Sequence, residues 1–354
     1  MYIIGVMSGT SLDGIDFCYF KIDESTYDFE IIKAQTYPYS KDWQIKLKSA
    51  AQQTKQEVAL LNAEYSNYLN QEILKFIKTE NIKNLDLIAS HGHTVWHNPK
   101  GGFTLQIGNL PIVSKEINVP LVGDFRVQDV RLGGQGAPLV PIGDELLFSD
   151  YHFCLNLGGF SNISCKRNGE RLAFDICPVN TLLNYYSEKY FSLPYDKNGE
   201  IAKSGKVYQP LVDKLNALPF YKQSHPKSLG IEQVNEWFIP IIETFSLEPK
   251  DLLASLVEHI AIQIANVLDM NVGKRLLITG GGAYNQYLIE RLSFLAPHIE
   301  IIVPPSEVVE YKEALIFGLL GLLKWQGKTN VLASVTGAKH NHSSGVLFLN
   351  GVLL

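Results

Sequence analysis

Eight residues near the start of the chain, Met7-Ser8-Gly9-Thr10-Ser11-Leu12-Asp13-Gly14, hold two glycines, three hydroxyls and a carboxylate. A hairpin needs only two or three turn residues, so this turn is richer than folding requires. Backbone N–H groups at Gly9, Thr10 and Gly14 can approach an anion closely, and the hydroxyls of Ser8, Thr10 and Ser11 add donors, which suits a phosphate. Asp13 is then placed to hold Mg²⁺ directly or through water. The competing reading is an elaborate hairpin with exposed polar residues.

Two further glycine turns follow strand-like runs. In "LNLGGFSNIS", Gly158-Gly159 precedes Ser161, Asn162 and Ser164; in "ITGGGAYN", Gly280-Gly281-Gly282 precedes a helical stretch. Neither fits the dinucleotide or the P-loop fingerprint. Three such turns in one chain nevertheless point to a nucleotide gripped from more than one side.

The remaining candidates are charged or ionisable. Asp175, in "AFDICPVN", ends a strand before Pro178 and Asn180. A carboxylate there can take a proton from an attacking hydroxyl or water, as in phosphoryl transfer, or simply cap a turn. In "VGDFR", Asp124 and Arg126 are expected on one face of a strand, either as an ion pair or as a clamp for oxyanions or sugar hydroxyls. Glu313 interrupts an apolar helix, where a carboxylate is rarely buried without a reason unless it lies on the wet face. His91, His93 and His97 could hold zinc, since imidazoles at i and i+2 of a strand share a face. No Cys, Asp or Glu stands near to complete the set, so polar or substrate contacts are the preferred reading.

These residues need a scaffold. The N-terminus reads strand, polar turn, strand, strand, then one long helical pattern over residues 41–79 in which Leu60, Leu61, Tyr65, Tyr68, Leu69, Ile73 and Phe76 recur near helical spacing. Residues 131–141, "RLGGQGAPLVP", carry three glycines and two prolines and look like a linker. Beyond them the chain repeats strand, glycine turn, strand, turn, strand, so the two halves begin alike. Strands alternating with helices argue α/β, and 354 residues favour two lobes over one core.

Composition narrows the function. A net charge of −5 with scattered Lys and Arg gives no footprint for nucleic acid or an anionic membrane. No run approaches the ~18 apolar residues of a membrane span, and strand patterning from Tyr2 leaves no room for a secretory leader, so a cytoplasmic protein is expected. Cys18, Cys154, Cys165 and Cys177 show no CxxC spacing and are expected as reduced, partly buried thiols.

The stretches "GVMSGTSLDGID", "HGHTVWHNP", "TLQIGN", "LVGDFR", "GGQGAPLVP", "LNLGGFSNIS", "YDKNGEIAKSGK", "TGGGAYN", "EALIFG" and "SVTGA" occur in order along nearly the whole chain. Together they resemble the anhydro-N-acetylmuramic acid kinase family of the sugar kinase/Hsp70/actin superfamily. The resemblance implies a two-lobed, ribonuclease H-like α/β fold. One lobe would be residues 1–130 with 335–354 and the other 131–334, with ATP in the cleft between them. It implies that water adds at C1 of a 1,6-anhydro sugar while O6 takes the γ-phosphate of ATP, giving N-acetylmuramic acid 6-phosphate in cell-wall recycling. Ser8, Gly9, Thr10, Ser11, Asp13 and Gly14 would form the first phosphate loop, with Asp13 on Mg²⁺. Gly158, Gly159 and Asn162 would form the second, and Gly280, Gly281 and Gly282 would face the adenosine. Asp175 would be the base that activates water; Arg126, Asp124, Glu313, His93 and Asn180 would hold the sugar. A homodimer is also implied.

The chain departs from the family pattern on the sugar side. Where the family reads FDTGPGN, this chain has Cys177 and Val179 in place of two glycines, and where it reads STGREYFN, this chain has Leu229, Ile231 and Val234. An imidazole, His93, replaces the amide of GHGQTVxH. Side chains at 177 and 179 would be expected to narrow the pocket or shift Asp175. The alternative function is therefore a divergent paralogue: a kinase for another amino sugar, or a nucleotide-binding protein with weak or no kinase activity.

Overall fold

The computed structural model describes every residue except 10, 11 and 269–272. It divides into two compact units, Met1–Leu147 with Tyr311–Leu354, and Phe148–Glu310. The strands are β1 (Tyr2–Met7), β2 (Gly14–Ile22), β3 (Phe29–Pro38), β4 (Leu87–Ser90), β5 (His93–Asn98), β6 (Phe103–Ile107), β7 (Leu121–Gly123), β8 (Phe153–Leu157), β9 (Phe160–Arg167), β10 (Glu170–Pro178), β11 (Lys274–Thr279), β12 (Ile299–Ile302), β13 (Val346–Leu349) and β14 (Val352–Leu353).

The first unit holds a seven-stranded sheet in the order β14-β13-β7-β4-β1-β2-β3, and the second a five-stranded sheet in the order β10-β9-β8-β11-β12. Within the first, β1-β2-β3 pair antiparallel while β1-β4-β7 pair parallel. The second repeats this: β8-β9-β10 antiparallel, β8-β11-β12 parallel. The similar openings noticed in the sequence are thus the first three strands of two sheets with one topology, and the α/β class is as expected.

Buried strands such as β1, with Ile3, Ile4 and Val6 almost wholly excluded from solvent, read as continuous apolar runs because helices cover parallel sheets. The long pattern over residues 41–79 is two helices, Lys41–Ser49 and Lys55–Thr79. The chain is broken by a 3₁₀ turn at Ala50–Gln52 and restarted by a capping box in which Thr54 and Glu57 exchange hydrogen bonds. The helix Ser306–Trp325 sits on the first sheet at backbone distance: a β-carbon on Gly5 would collide with the carbonyl oxygen of Ala314.

Residues 131–141 are not a linker. They belong to the first unit and are tied into it, the Gln135 amide donating to the Thr336 carbonyl at 2.8 Å and the Gly136 amide to the Asp129 carboxylate at 2.6 Å. In the second unit a fully buried His259 joins Asn216 Oδ1 through Nδ1 (2.6 Å) and the Tyr221 hydroxyl through Nε2 (2.8 Å). The four cysteines are buried and none is in a disulfide. Among the described residues no helix is long and apolar enough to cross a membrane.

Candidate functional site

In open α/β sheets, ligands bind beyond the carboxyl ends of the parallel strands, where the loops are free to carry chemistry. In the first unit the residues beyond β1, β4 and β7 are Ser8, His91 and Asp124. Ser8 is buried, and its hydroxyl donates to the Gly92 carbonyl at 2.7 Å. The His91 amide donates to the Val6 carbonyl at 3.0 Å, so the first turn and the histidine loop are joined at their bases. Gly9 is half-buried and Asp13 exposed. Thr10 and Ser11 lie outside the described residues. Gly14 opens β2 so close to the Tyr37 backbone that a β-carbon would clash, which makes its glycine a packing requirement.

Two sequence expectations are corrected here. His91 and His93 do not share a strand face: β4 ends at Ser90, Gly92 turns the chain at φ 74°, and His93 starts β5. Among the described residues no group of three His, Cys, Asp or Glu side chains could hold a metal ion. Asp124 and Arg126 likewise leave the strand, since β7 ends at Gly123 and Asp124 takes a left-handed conformation, φ 55°. The nearby charge that Asp124 feels is Arg131.

Arg126 has other partners. Its Nε donates to His91 Nε2 at 2.8 Å and its Nη1 to the Gly136 carbonyl at 2.5 Å. An arginine that donates to imidazole requires the neutral ring, and burial together with the Arg126 charge holds His91 well below the usual histidine range. Burial also brings the Arg126 guanidinium down to about 10, against the attraction of Glu313 and Asp129. Glu313 is reached by solvent yet ringed by protein, which raises its carboxyl above the ordinary range although Arg126 and Lys312 oppose the rise. Burial raises the Asp124 carboxyl as well. His93 is buried beside Tyr65, ring centres 6.1 Å apart, and is pushed down to about 4. The predicted sugar residues of this unit therefore combine one cation with carboxylates that hold their protons more tightly than usual, a donor–acceptor mix suited to hydroxyls.

The second unit carries a polar row across its sheet. Register places Thr279 opposite Asn156, Asn156 opposite Asn162, and Asn162 opposite Asp175, so the four side chains share one face. Asp175 is half-buried, and its Oδ2 accepts the Leu229 amide at 2.8 Å while its own amide donates to the Lys227 carbonyl at 3.0 Å. Burial raises its carboxyl above the ordinary range and the Leu229 bond restrains the rise. Among the described residues none donates to Oδ1, and a half-buried carboxylate of raised pKa with such an oxygen is a competent proton acceptor.

The glycine turns lie at the same end of this sheet. The helix Asn180–Phe191 starts against the first turn, with the Val179 and Thr181 amides on the Gly159 carbonyl (2.8 and 3.1 Å) and the Asn180 amide group on the Leu157 carbonyl (3.2 Å). Gly280 must be glycine because φ is 82° and a β-carbon would strike Asn156; Gly282 packs on Leu157. A β-carbon on Gly281, by contrast, would meet only Asn180, at 3.9 Å, and one on Gly158 would touch nothing nearer than 3.4 Å. Open space thus faces Gly158 and Gly281, and Asn180 stands between the two turns.

The expected narrowing by Cys177 and Val179 does not occur. Both side chains are fully buried in the hydrophobic core, Cys177 Sγ lying 3.2 Å from Ser161 Oγ. The bulge between Asp175 and Cys177 turns the cysteine inward. Sequence reasoning missed the Lys227–Leu229 pairing and the use of His91 as the Arg126 acceptor, because both are long-range contacts that no local pattern marks.

The family model described as anhydro-N-acetylmuramic acid kinase matches residues 1–350 of this chain. An anhydro-N-acetylmuramic acid kinase of Haemophilus influenzae is 34% identical over 380 residues, covering 98% of this chain and 97% of that protein. One of Pasteurella multocida is 35% identical over 366 residues, covering 98% and 97%. One of Sulfurimonas denitrificans is 33% identical over 368 residues, covering 98% and 99%. With a family model matched over residues 1–350 and relatives matched over 98% of its length, the chain belongs to the anhydro-N-acetylmuramic acid kinase family.

Proposed function

We propose that this protein is an ATP-dependent kinase that opens 1,6-anhydro-N-acetylmuramic acid with water and phosphorylates its O6. Asp175 takes a proton from water as the water oxygen bonds to C1. The C1–O6 bond breaks, O6 bonds to the γ-phosphorus of ATP, and ADP leaves. The observation that carries this reading is the state of Asp175: half-buried, raised in pKa, and held through Oδ2 by one backbone amide, with no donor to Oδ1 among the described residues. Arg126 and Glu313 supply a donor and an acceptor for sugar hydroxyls, and Asp124 and His93 belong to the same unit. The open faces of Gly158 and Gly281 admit the nucleotide to the backbone. The Asn180 amide donates to the Gly158 carbonyl at 3.3 Å and its side chain is the contact nearest Gly281, and we assign it to the ligands of that unit. Exposed Asp13 is the residue that would hold a magnesium ion, which would supply charge neutralisation for the transferred phosphoryl group. Family membership also favours a cytoplasmic enzyme and a homodimer.

The test is a coupled ADP-release assay over a panel of anhydro and free amino sugars. Turnover of 1,6-anhydro-N-acetylmuramic acid that vanishes in Asp175→Asn supports the proposal. ATP binding without turnover of any sugar overturns it.

A further inference from the structure

Two glycine-bearing stretches have no task in that reaction: the loop at residues 133–141 and the turn at residues 333–338. They meet at one buried carboxylate. Asp129, in the short helix Val127–Arg131, has no solvent exposure. Its Oδ2 accepts the Gly136 amide at 2.6 Å, and its Oδ1 accepts the Thr336 hydroxyl at 2.7 Å with His342 Nε2 3.5 Å away. Gly134 passes so near that a β-carbon would run into the same carboxylate. The Gln135 amide donates to the Thr336 carbonyl at 2.8 Å and the Lys339 amide to the Leu132 carbonyl at 3.1 Å. From the same C-terminal segment, the Ser344 hydroxyl donates to the Phe125 carbonyl at 2.6 Å.

The next link from this network is Arg126. The Gly136 carbonyl, whose amide Asp129 holds, accepts Nη1 of the guanidinium, and His91 accepts Nε. Two of the three guanidinium nitrogens are therefore committed to the protein. Among the described residues none receives a hydrogen bond from Nη2. A planar fork fixed at two corners has its third corner aimed. Asp129 also acts on Arg126 through its charge, favouring the charged guanidinium against burial.

We propose that Asp129 is a positioning residue for the sugar: with Thr336 it sets the Gly136 carbonyl, which aims Nη2 of Arg126 at the substrate. The inference rests on Arg126 being a sugar-binding residue. It gives the C-terminal turn a role in specificity rather than in packing alone.

Thr336→Val removes the hydroxyl at constant shape, Thr336→Ser restores it, and Asp129→Asn weakens the carboxylate. KM for 1,6-anhydro-N-acetylmuramic acid and for ATP is measured for each, with thermal melting as a check on folding. A misaimed positioning group costs on the order of tenfold in sugar KM for Thr336→Val, with ATP KM changed by less than about twofold and with recovery in Thr336→Ser. Equal rises in both KM values, or no change in sugar KM while Arg126→Ala raises it, would overturn the proposal. An unchanged sugar KM in Arg126→Ala would instead overturn the sugar role of Arg126, and the proposal with it. Should Asp129→Asn fail to fold, the two Thr336 variants still decide.

Discussion

Asp175 and Leu229 are joined by a single bond, the Leu229 amide to Oδ2 at 2.8 Å, across 54 residues of sequence. Beside it runs one main-chain bond, from the Asp175 amide to the Lys227 carbonyl at 3.0 Å. One face of the carboxylate is thereby fixed by main chain, and no side-chain substitution at 229 short of proline removes the donor.

The acid limb of kcat/KM follows from this arrangement. As the proposed base, Asp175 acts only when ionised, so activity is expected to fall as the pH drops through its pKa. Burial raises that pKa, so the limb lies above the usual 3.8 of an aspartate. A profile that stays flat down to pH 4 would be inconsistent with Asp175 as the base.

His91 serves Arg126 as a neutral acceptor. His91→Phe keeps a ring beside Phe317 but leaves the Arg126 Nε–H without a partner. An unpaired donor on a charged group costs about 1–3 kcal/mol, which urea denaturation reads directly. Sugar KM is expected to rise as well. His91→Gln, which offers an amide oxygen, should recover part of both losses, and its failure to do so would refute the acceptor role.

Gly281 and Gly5 predict opposite outcomes for one substitution. Gly281→Ala places a methyl in open space, so the melting temperature should hardly move while ATP KM rises. Gly5→Ala drives a methyl into the Ala314 carbonyl and should cost about 3 kcal/mol or more, with little soluble protein formed. An unchanged ATP KM in Gly281→Ala would remove that turn from the nucleotide site.

His259 makes stability depend on pH. Burial depresses its folded pKa to about 3 from 6.5, so below pH 6.5 the unfolded chain takes up a proton that the folded chain refuses. The contribution is intact above pH 6.5 and is lost as pH falls toward about 3, at about 1.4 kcal/mol per pH unit. Unfolding free energies from urea titrations at pH 6.5 and 5.0 should therefore differ by about 2 kcal/mol more in the parent protein than in His259→Gln. Equal differences would show that the buried imidazole is not the cause.

Much of this was legible in the sequence, and the rest was hidden for identifiable reasons. The apolar run of β1, the three glycine turns and Asp175 at a strand end all carry local signals. The helix over residues 41–79 was read as one because its apolar period survives the break; only the Thr54–Glu57 capping box marks the restart. Residues 131–141 looked like a linker because glycine and proline mark any irregular backbone, whether loose or tightly fitted. Gly134 and Gly136 are there to pass a buried carboxylate and bond to it, a cause visible only with Asp129 in place. Cys177 seemed a threat to the site because spacing along a strand ignores a bulge, and the bulge turns that side chain away.

The contact between Gly5 and Ala314 fixes a dimension of the molecule. Strand β1 leads from Gly5 to Met7, directly before Ser8, and the helix residue before Ala314 is Glu313. With main chain resting on main chain, the spacing between Ser8 and that carboxylate has no compressible layer in it. Apolar residues elsewhere in the core can be exchanged, and stability will drift with their volumes. Ser8 and Glu313 will keep their separation, because the datum from which both are measured contains no side chain to change.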